Sequence, residues 1–391
     1  MQPILEPILE CCCGVDVHKN MIEACIIKGI YEPIFIRKRF STFQNELIDF
    51  AHWLYEHDCY HIAMESTGVY WRPIYEAIEE YSPYYENIIV TNAHHMRNLP
   101  GRKSDVKDAE WLATLMQRGL LKGSFIPERT IRDLREFSRI YKNAVNEKSR
   151  CLNRLEKFLQ THGFKLSSVL SDINSVSGIK ILTTLSQKGS LTIEDIQNAV
   201  GNRTKKSSEE IQLAVCGKLN ANGCFLLADF LDQLKWIEEH IEKILNKMIE
   251  IAEPYRDVLE RLDSIVGIDI TAALLILAEI GGNVQQNFQT AGHLCAWAGL
   301  KPRNDESADK FKSKKVLPGN PYIKSILCQC AWVTAKNRKN PFGHWFWSHQ
   351  GKLGKKKAII AVSRKILALA YYLIVTNQLY DNEVAMRPYL N

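Results

Sequence analysis

The chain has 391 residues, 46% of them hydrophobic and 24% charged, with 21 Gly and 13 Pro, which gives two or three domains with sizeable cores and excludes a disordered or collagen-like polymer. The formal net charge is +6, but Lys301–Lys357 alone carries 14 Lys and Arg against three Asp and Glu, and no acid occurs from Lys310 to Tyr380. A long acid-free basic segment interleaved with aromatic residues points to a polyanion such as nucleic acid, against the alternative of a merely solvated basic face.

The 11 cysteines include no CxxC pair, and no His falls at zinc-finger spacing. Free thiols suit a reducing cytosol, so a cytoplasmic protein is expected. The N-terminus MQPILEPILE is acidic and does not read as a signal peptide. The apolar run Ile366–Val375 is too short to span a bilayer and reads as a buried helix, so no membrane partner is expected.

In chain order, Gly14–Ile27 (GVDVHKNMIEACII) reads as a half-buried strand carrying Asp16. A second strand is expected over Tyr31–Ser41, then a helix over Asn45–His57. His61–Met64 is a short strand ending in Glu65. Val69–Glu80 is helical, Asn87–Val90 is a strand, and Asp105–Gly119 is a helix. Strands interleaved with helices over about 120 residues make an α/β domain. From Glu128 to Gln160, Leu134, Tyr141, Val145, Leu152, Leu155 and Leu159 keep helical spacing, a helix of roughly 45 Å. Leu227, Phe230, Leu234, Ile237, Ile241, Ile244, Met248 and Ile251 then repeat 3-4-3-4, a coiled-coil signal. The two long helices are expected to pair with each other, with a partner subunit, or with both. Ser167–Gly223 between them reads as an insertion of short helices.

After Pro254, Ser264–Gly281 (SIVGIDITAALLILAEIG) has the form of a helix-hairpin-helix, whose turn amides take a backbone phosphate; a plain helical hairpin has the same pattern. A loop follows Pro302, holding Ser307 and Ser313 and the lysines Lys310, Lys312, Lys314 and Lys315, and a helix starts at Asn320 or Pro321. In NPFGHWFWSHQGKLGKKK (Asn340–Lys357), Trp345, Phe346 and Trp347 precede Lys355, Lys356 and Lys357. Rings stack on unpaired bases and lysines follow phosphates, although some of these rings equally suit a core.

An acid on a central strand is costly unless it is paired or holds a metal. Asp16, Glu65, Asp105 and Asp108 come from two strands and a helix start. Together they would supply the oxygen ligands that Mg²⁺ or Mn²⁺ prefers. Against this, Asp105 is also a good N-cap, Asp108 suits a first helical turn, and Glu65 before a turn suits a surface. Arg102 and Lys103 beside Asp105 suit phosphate contacts or mere neutralisation of the acids. His18, His94 and His95 are candidate ligands by residue type, but read better as polar loop or strand-edge residues.

GVDVHK, MESTGVY and LPGRKSDVKDA resemble, in order and context, the DEDD-type insertion-sequence transposases, the "one-ten" family, some members of which are guided by a bridge RNA. The resemblance runs over nearly the whole chain. It implies a RuvC-like, RNase H-type domain over 1–125 with Asp16, Glu65, Asp105 and Asp108 as metal ligands. It further implies a coiled-coil dimerisation region over 126–257, interrupted by 167–223, and a mainly helical transposase domain over 258–391. The family's nucleophilic serine falls at Ser307. The family pattern has Gly after it, where this chain has Ala308-Asp309, which leaves Ser313 as a lesser candidate.

The activity implied by the resemblance is that of an Mg²⁺-dependent recombinase that cleaves and rejoins donor and target DNA through a covalent phosphoserine. A guide RNA and a homodimer or tetramer would be its partners. Three other readings stay open. One is a RuvC-like nuclease or Holliday-junction resolvase that uses water and leaves free ends. Another is a sugar-kinase-like ATPase, which lacks later Gly-rich phosphate loops here. The last is a nucleic-acid-binding protein without catalysis.

Overall fold

The computed structural model describes residues 8–82, 84–92, 108–200, 206–302, 305–307, 310–313, 316 and 318–381, with backbone alone over 305–307 and 310–313. The chain divides into two units, Met1–Ile126 and Pro127–Asn391.

In the first unit, β1 (Cys11–Val17), β2 (Met21–Lys28), β3 (Ile34–Ser41), β4 (His61–Glu65) and β5 (Asn87–Thr91) form one sheet in the order β3-β2-β1-β4-β5. The first three strands are antiparallel; β4 runs parallel to β1, and β5 parallel to β4. The stretch Gly14–Ile27, expected as one strand, is instead a hairpin. The polar His18-Lys19-Asn20 reverses the chain, His18 N–H donates to the Met21 carbonyl (3.0 Å), and Val17 faces Ile22.

Helices cover both faces, which is why β1 and β2 are apolar on both sides. On one face Cys13, Val15 and Val17 pack with Phe50, Trp53 and Leu54 of α1 (Gln44–Glu56) and Ile74 and Ile78 of α2 (Trp71–Tyr81). On the other, Cys12, Ile27 and Ala63 pack with Ala113 and Met116 of α3 (Asp108–Gln117). Gly14 lies directly beneath α3. A Cβ there would run into the Ala109 carbonyl and the Ala113 amide, so glycine lets the helix settle onto the strand. Burial pushes the Cys12 thiol up to about 12, so it stays protonated and acts as a small apolar group.

In the second unit, α4 (Arg129–Thr161) and α8 (Ala221–Ile251) pair with each other in antiparallel fashion. Cys151 packs on Leu234 and Ile237, Phe158 on Phe230, and Lys148 bridges to Glu238 at 2.7 Å. Between them sits a helical head: α5 (Val176–Lys188), α6 (Ile193–Ala199) and α7 (Ser208–Ala214). Its core is built around Phe164, Ile181, Leu185, Ile196 and Ile211, and it includes Leu155 and Leu159 of α4 and Leu227 of α8.

The rest is helical apart from one ribbon. It comprises α9 (Arg256–Asp263), α10 (Ile270–Ile280), α11 (Val284–Asn287), α12 (Ala291–Trp297), the two-stranded ribbon β6 (Asp305–Ser307) and β7 (Lys310–Ser313), then α13 (Pro321–Ala335), α14 (Pro341–Leu353) and α15 (Lys355–Thr376). The 22-residue α15 is long and apolar enough to cross a membrane by length and composition alone. Its apolar side is occupied: Ile359, Val362, Ile366, Leu367, Leu369 and Leu373 are buried, and it packs on α9, α12, α13 and α14.

Candidate active site

The last residue pair of the β1–β4 ladder is Val15 with Met64, so Asp16 and Glu65 are the next residues on two neighbouring parallel strands, which run about 4.8 Å apart. Side chains alternate along a strand. Cys12 donates its thiol hydrogen to the Ala113 carbonyl (3.3 Å) and Gly14 touches α3, so Asp16 lies on the α3 face. Ala63 packs on α3, so Glu65 lies on that face as well. Asp108 is the first residue of α3. Topology thus puts three of the four expected acids toward one end of one sheet face, at the carboxyl ends of parallel strands, without bringing them within metal-binding distance of one another. The fourth, Asp105, lies outside the described residues, as do Arg102, Lys103, His94 and His95.

Asp16 is 18% exposed and bonds to His18 Nε2 at 3.0 Å. His18, expected as a plain loop residue, therefore orients the first carboxylate. Two further acids were not legible in the sequence. Glu23 pairs with Asp16 across the β1–β2 hairpin and with Arg39 across β2–β3, and its carboxylate meets the Arg39 guanidinium. Glu110, in the first turn of α3, meets Arg37. Glu23 and Glu110 line a cleft of about 280 Å³ between β2, β3 and the start of α3. The signal for Glu23 was the turn at His18–Asn20, which sets the pairing.

Among the described residues no three of His, Cys, Asp and Glu stand close enough to enclose a metal ion. The donor chemistry is nonetheless that of a hard divalent cation: carboxylate oxygens, with a strand glycine that admits the acid-bearing helix start.

The serine segment, expected as a loop, is a ribbon. Ser307 pairs with Lys310 next to the two-residue connection, and Ser313 pairs with Asp305 at the other end. Ala308 and Asp309, between the two strands, lie outside the described residues. Lys310 and Lys312 lie on β7, while Lys314 and Lys315 are outside the described residues. The base of the ribbon is closed by a bridge between Pro302 and Val316, by Gly319 against the Gly299 backbone, and by Asn320 N–H donating to the Trp297 carbonyl (3.1 Å).

Beside that base lies Glu279, fully buried at the end of α10. Arg139 donates to its Oε1, and Asn320 Nδ2 donates to its Oε2. Arg135 donates to the Ala278 carbonyl (3.0 Å) and the Glu279 carbonyl (2.9 Å). Burial lowers the Arg135 pKa, an effect that the Glu279 carboxylate opposes. The Arg139 guanidinium lies 3.2 Å from the Tyr322 ring centroid.

Lys355, Lys356 and Lys357 are exposed at the start of α15. Of the three rings before them, Phe346 is core, whereas Trp347 is 40% exposed under Arg338 (3.9 Å). Trp345 stacks on His349 with Lys365 above it. The exposed Trp332 lies edge-on to Phe346 and adds a ring that sequence reasoning missed.

The sequence matches a DEDD-type IS110 transposase family over residues 13–163, and the transposase IS116/IS110/IS902 family over residues 259–346. The first span holds Asp16, Glu65, Asp105 and Asp108; the second holds Glu279, Ser307 and Asn320. Two curated relatives, the pilin gene-inverting proteins of Moraxella lacunata and Moraxella bovis, are 23% and 22% identical over 383 residues. The alignments cover 95% of this chain and 98% of each relative.

Proposed function

Because this chain belongs to the IS116/IS110/IS902 family of transposases, whose members cut and rejoin DNA, we propose that it does so through a covalent phosphoserine at Ser307, with Asp16, Glu65, Asp105 and Asp108 as the ligands of Mg²⁺ or Mn²⁺. The observation that carries the metal reading is the placing of Asp16, Glu65 and Asp108 at one end of one sheet face. The strand order β3-β2-β1-β4-β5, with one antiparallel half and one parallel half, supports a RuvC-like, RNase H-type first unit.

The metal, when bound, supplies charge stabilisation for the phosphoryl oxygens. The chain does the rest. Asp16 is held by His18, and Glu65 and Asp108 are held by β4 and α3. The Ser307 Oγ–H bond breaks as Oγ bonds to phosphorus, and the scissile P–O bond breaks as the departing sugar oxygen takes a proton. Rejoining reverses this: an incoming sugar hydroxyl displaces Ser307, so the phosphodiester bond energy is kept without nucleotide hydrolysis. Gene inversion, the activity in the relatives' name, would be served by the same pair of exchanges.

A guide RNA, donor and target DNA, and a second or fourth copy of the chain complete the proposed assembly in a bacterial or archaeal cytoplasm. Trp236 (64% exposed) and Phe225 (73% exposed) on α8 support docking between copies. The basic-aromatic face of α13, α14 and Lys355–Lys357 supports nucleic-acid contact.

The test is Ser307→Ala. Wild type should give a protein–DNA adduct on a denaturing gel, and the variant should give none while still binding DNA. An adduct of undiminished yield in the variant rejects Ser307. Nicked DNA with free ends from wild type would favour the water-using nuclease instead.

A further inference from the structure

We infer that buried Glu279, with Asn320 and Arg139, is a positioning node that holds the base of the serine ribbon, so that the Ser307 tip is presented from a fixed platform. This rests on the reading of Ser307 as nucleophile. None of the three touches DNA in the proposal; they act through the ribbon.

A carboxylate with no exposure is costly to bury, and it persists only where its partners are in place. Here the three members of the node come from separate parts of the chain. Arg139 belongs to α4, Glu279 to the end of α10, and Asn320 lies between the ribbon and α13. Asn320 has a second task, since its Oδ1 accepts from the amides of Tyr322 (2.9 Å) and Ile323 (3.3 Å) and so caps α13. Its amide group thus ties the start of α13 to Glu279, while its own N–H ties the same point to α12 through Trp297.

The two arms of the ribbon are pinned at matching heights. On one side stand Trp297, Gly299 and Pro302, and on the other Asn320, Gly319 and Val316. Gly319 has no room for a Cβ against the Gly299 backbone, which keeps the arms together. Arg139 lies against the ring of Tyr322, in the first turn of α13, and closes the node from the α4 side. A plain core ion pair needs neither a helix cap nor a ribbon base as its partner. A short ribbon is only as well placed as the points where its arms leave the core, and small displacements of a reacting group are costly.

Asn320→Ser separates the two tasks, because serine still caps α13 but does not donate to Glu279. Full-length protein is used for three readouts. The first is amide hydrogen exchange over residues 305–313, which requires no chemistry. The second is the rate of adduct formation at saturating DNA, and the third is DNA affinity. Expected are faster exchange in the ribbon with unchanged exchange in α15, adduct formation slower by roughly tenfold or more, and affinity within about twofold. Gly319→Ala should behave in the same way, and Arg139→Lys, which keeps the charge and loses the fork, should do so more weakly.

Ribbon exchange and adduct rate both unchanged in a folded Asn320→Ser protein would overturn the node. So would equal acceleration of exchange throughout the second unit, which marks a purely structural role. Absence of any Ser307-dependent adduct in wild type would remove the nucleophile reading, and the exchange arm would still decide whether the node holds the ribbon.

Discussion

Asp16 is the residue on which the proposed chemistry turns, and its surroundings suit a ligand better than a structural acid. It is 18% exposed, its partner is the side chain of His18, and among the described residues no Lys or Arg bridges to it. Asp16→Asn should therefore leave folding intact while DNA cleavage falls roughly 10²–10³-fold, the several kcal/mol that a divalent cation contributes to such a transition state. Cleavage assays beside Mn²⁺ titration calorimetry of the DNA-free protein check both halves. Unchanged Mn²⁺ affinity would remove Asp16 from the ligand set. Asp16, Glu65 and Asp108 stood out in the sequence because each sits at or near an element boundary beside turn residues. Glu23 was not, since reading Gly14–Ile27 as one strand passes over the reversal at His18–Asn20 that sets it opposite Asp16. Glu279 was illegible for another reason. In AALLILAEIG it looks like the polar end of an apolar helix, and its partners Arg139 and Asn320 lie 140 and 41 positions away.

Among elements, the docking of α3 on β1 decides whether the acids meet at all. Gly14 sets the helix height, and Cys12, Ala63, Ala113 and Met116 seal the contact. Gly14→Ala should push α3 away and destabilise the first unit by about 1–3 kcal/mol, the usual cost of overpacking, which urea unfolding would measure. Cleavage should fall further than stability alone explains. The long helices were readable from their heptad spacing, because a 3-4 repeat has few other uses. Their choice of each other as partner was not readable, since the same stripe fits a second chain equally well. The serine ribbon escaped notice because two short strands rich in charge carry no alternation of apolar side chains.

At the scale of the whole molecule, charge is unevenly spread: the chain from Lys310 to Tyr380 has no acid, whereas the glutamates that line the first unit's cleft are paired with Arg37 and Arg39. Binding of a polyanion should then weaken steeply with salt. Replacing Lys355, Lys356 and Lys357 together by Ala should lower the slope of log affinity against log salt by roughly one for each phosphate no longer neutralised, with little effect on stability because all three are exposed. Filter binding across a salt series would measure this, and an unchanged slope would place the nucleic acid elsewhere.

The helical head between α4 and α8 also bears on how the chain reaches its native state. The segment that joins the two arms is long, so closing it first would be entropically expensive. Its hydrophobic centre, however, already contains Leu155, Leu159 and Leu227, arm residues close to it in the chain. Collapse of the head would then bring the arms into register, with pairing extending from the closed end toward Lys148 and Glu238. If the head is the nucleus of the stalk, Leu185→Ala should slow refolding, whereas Lys148→Ala should mainly speed unfolding, as stopped-flow measurement would show.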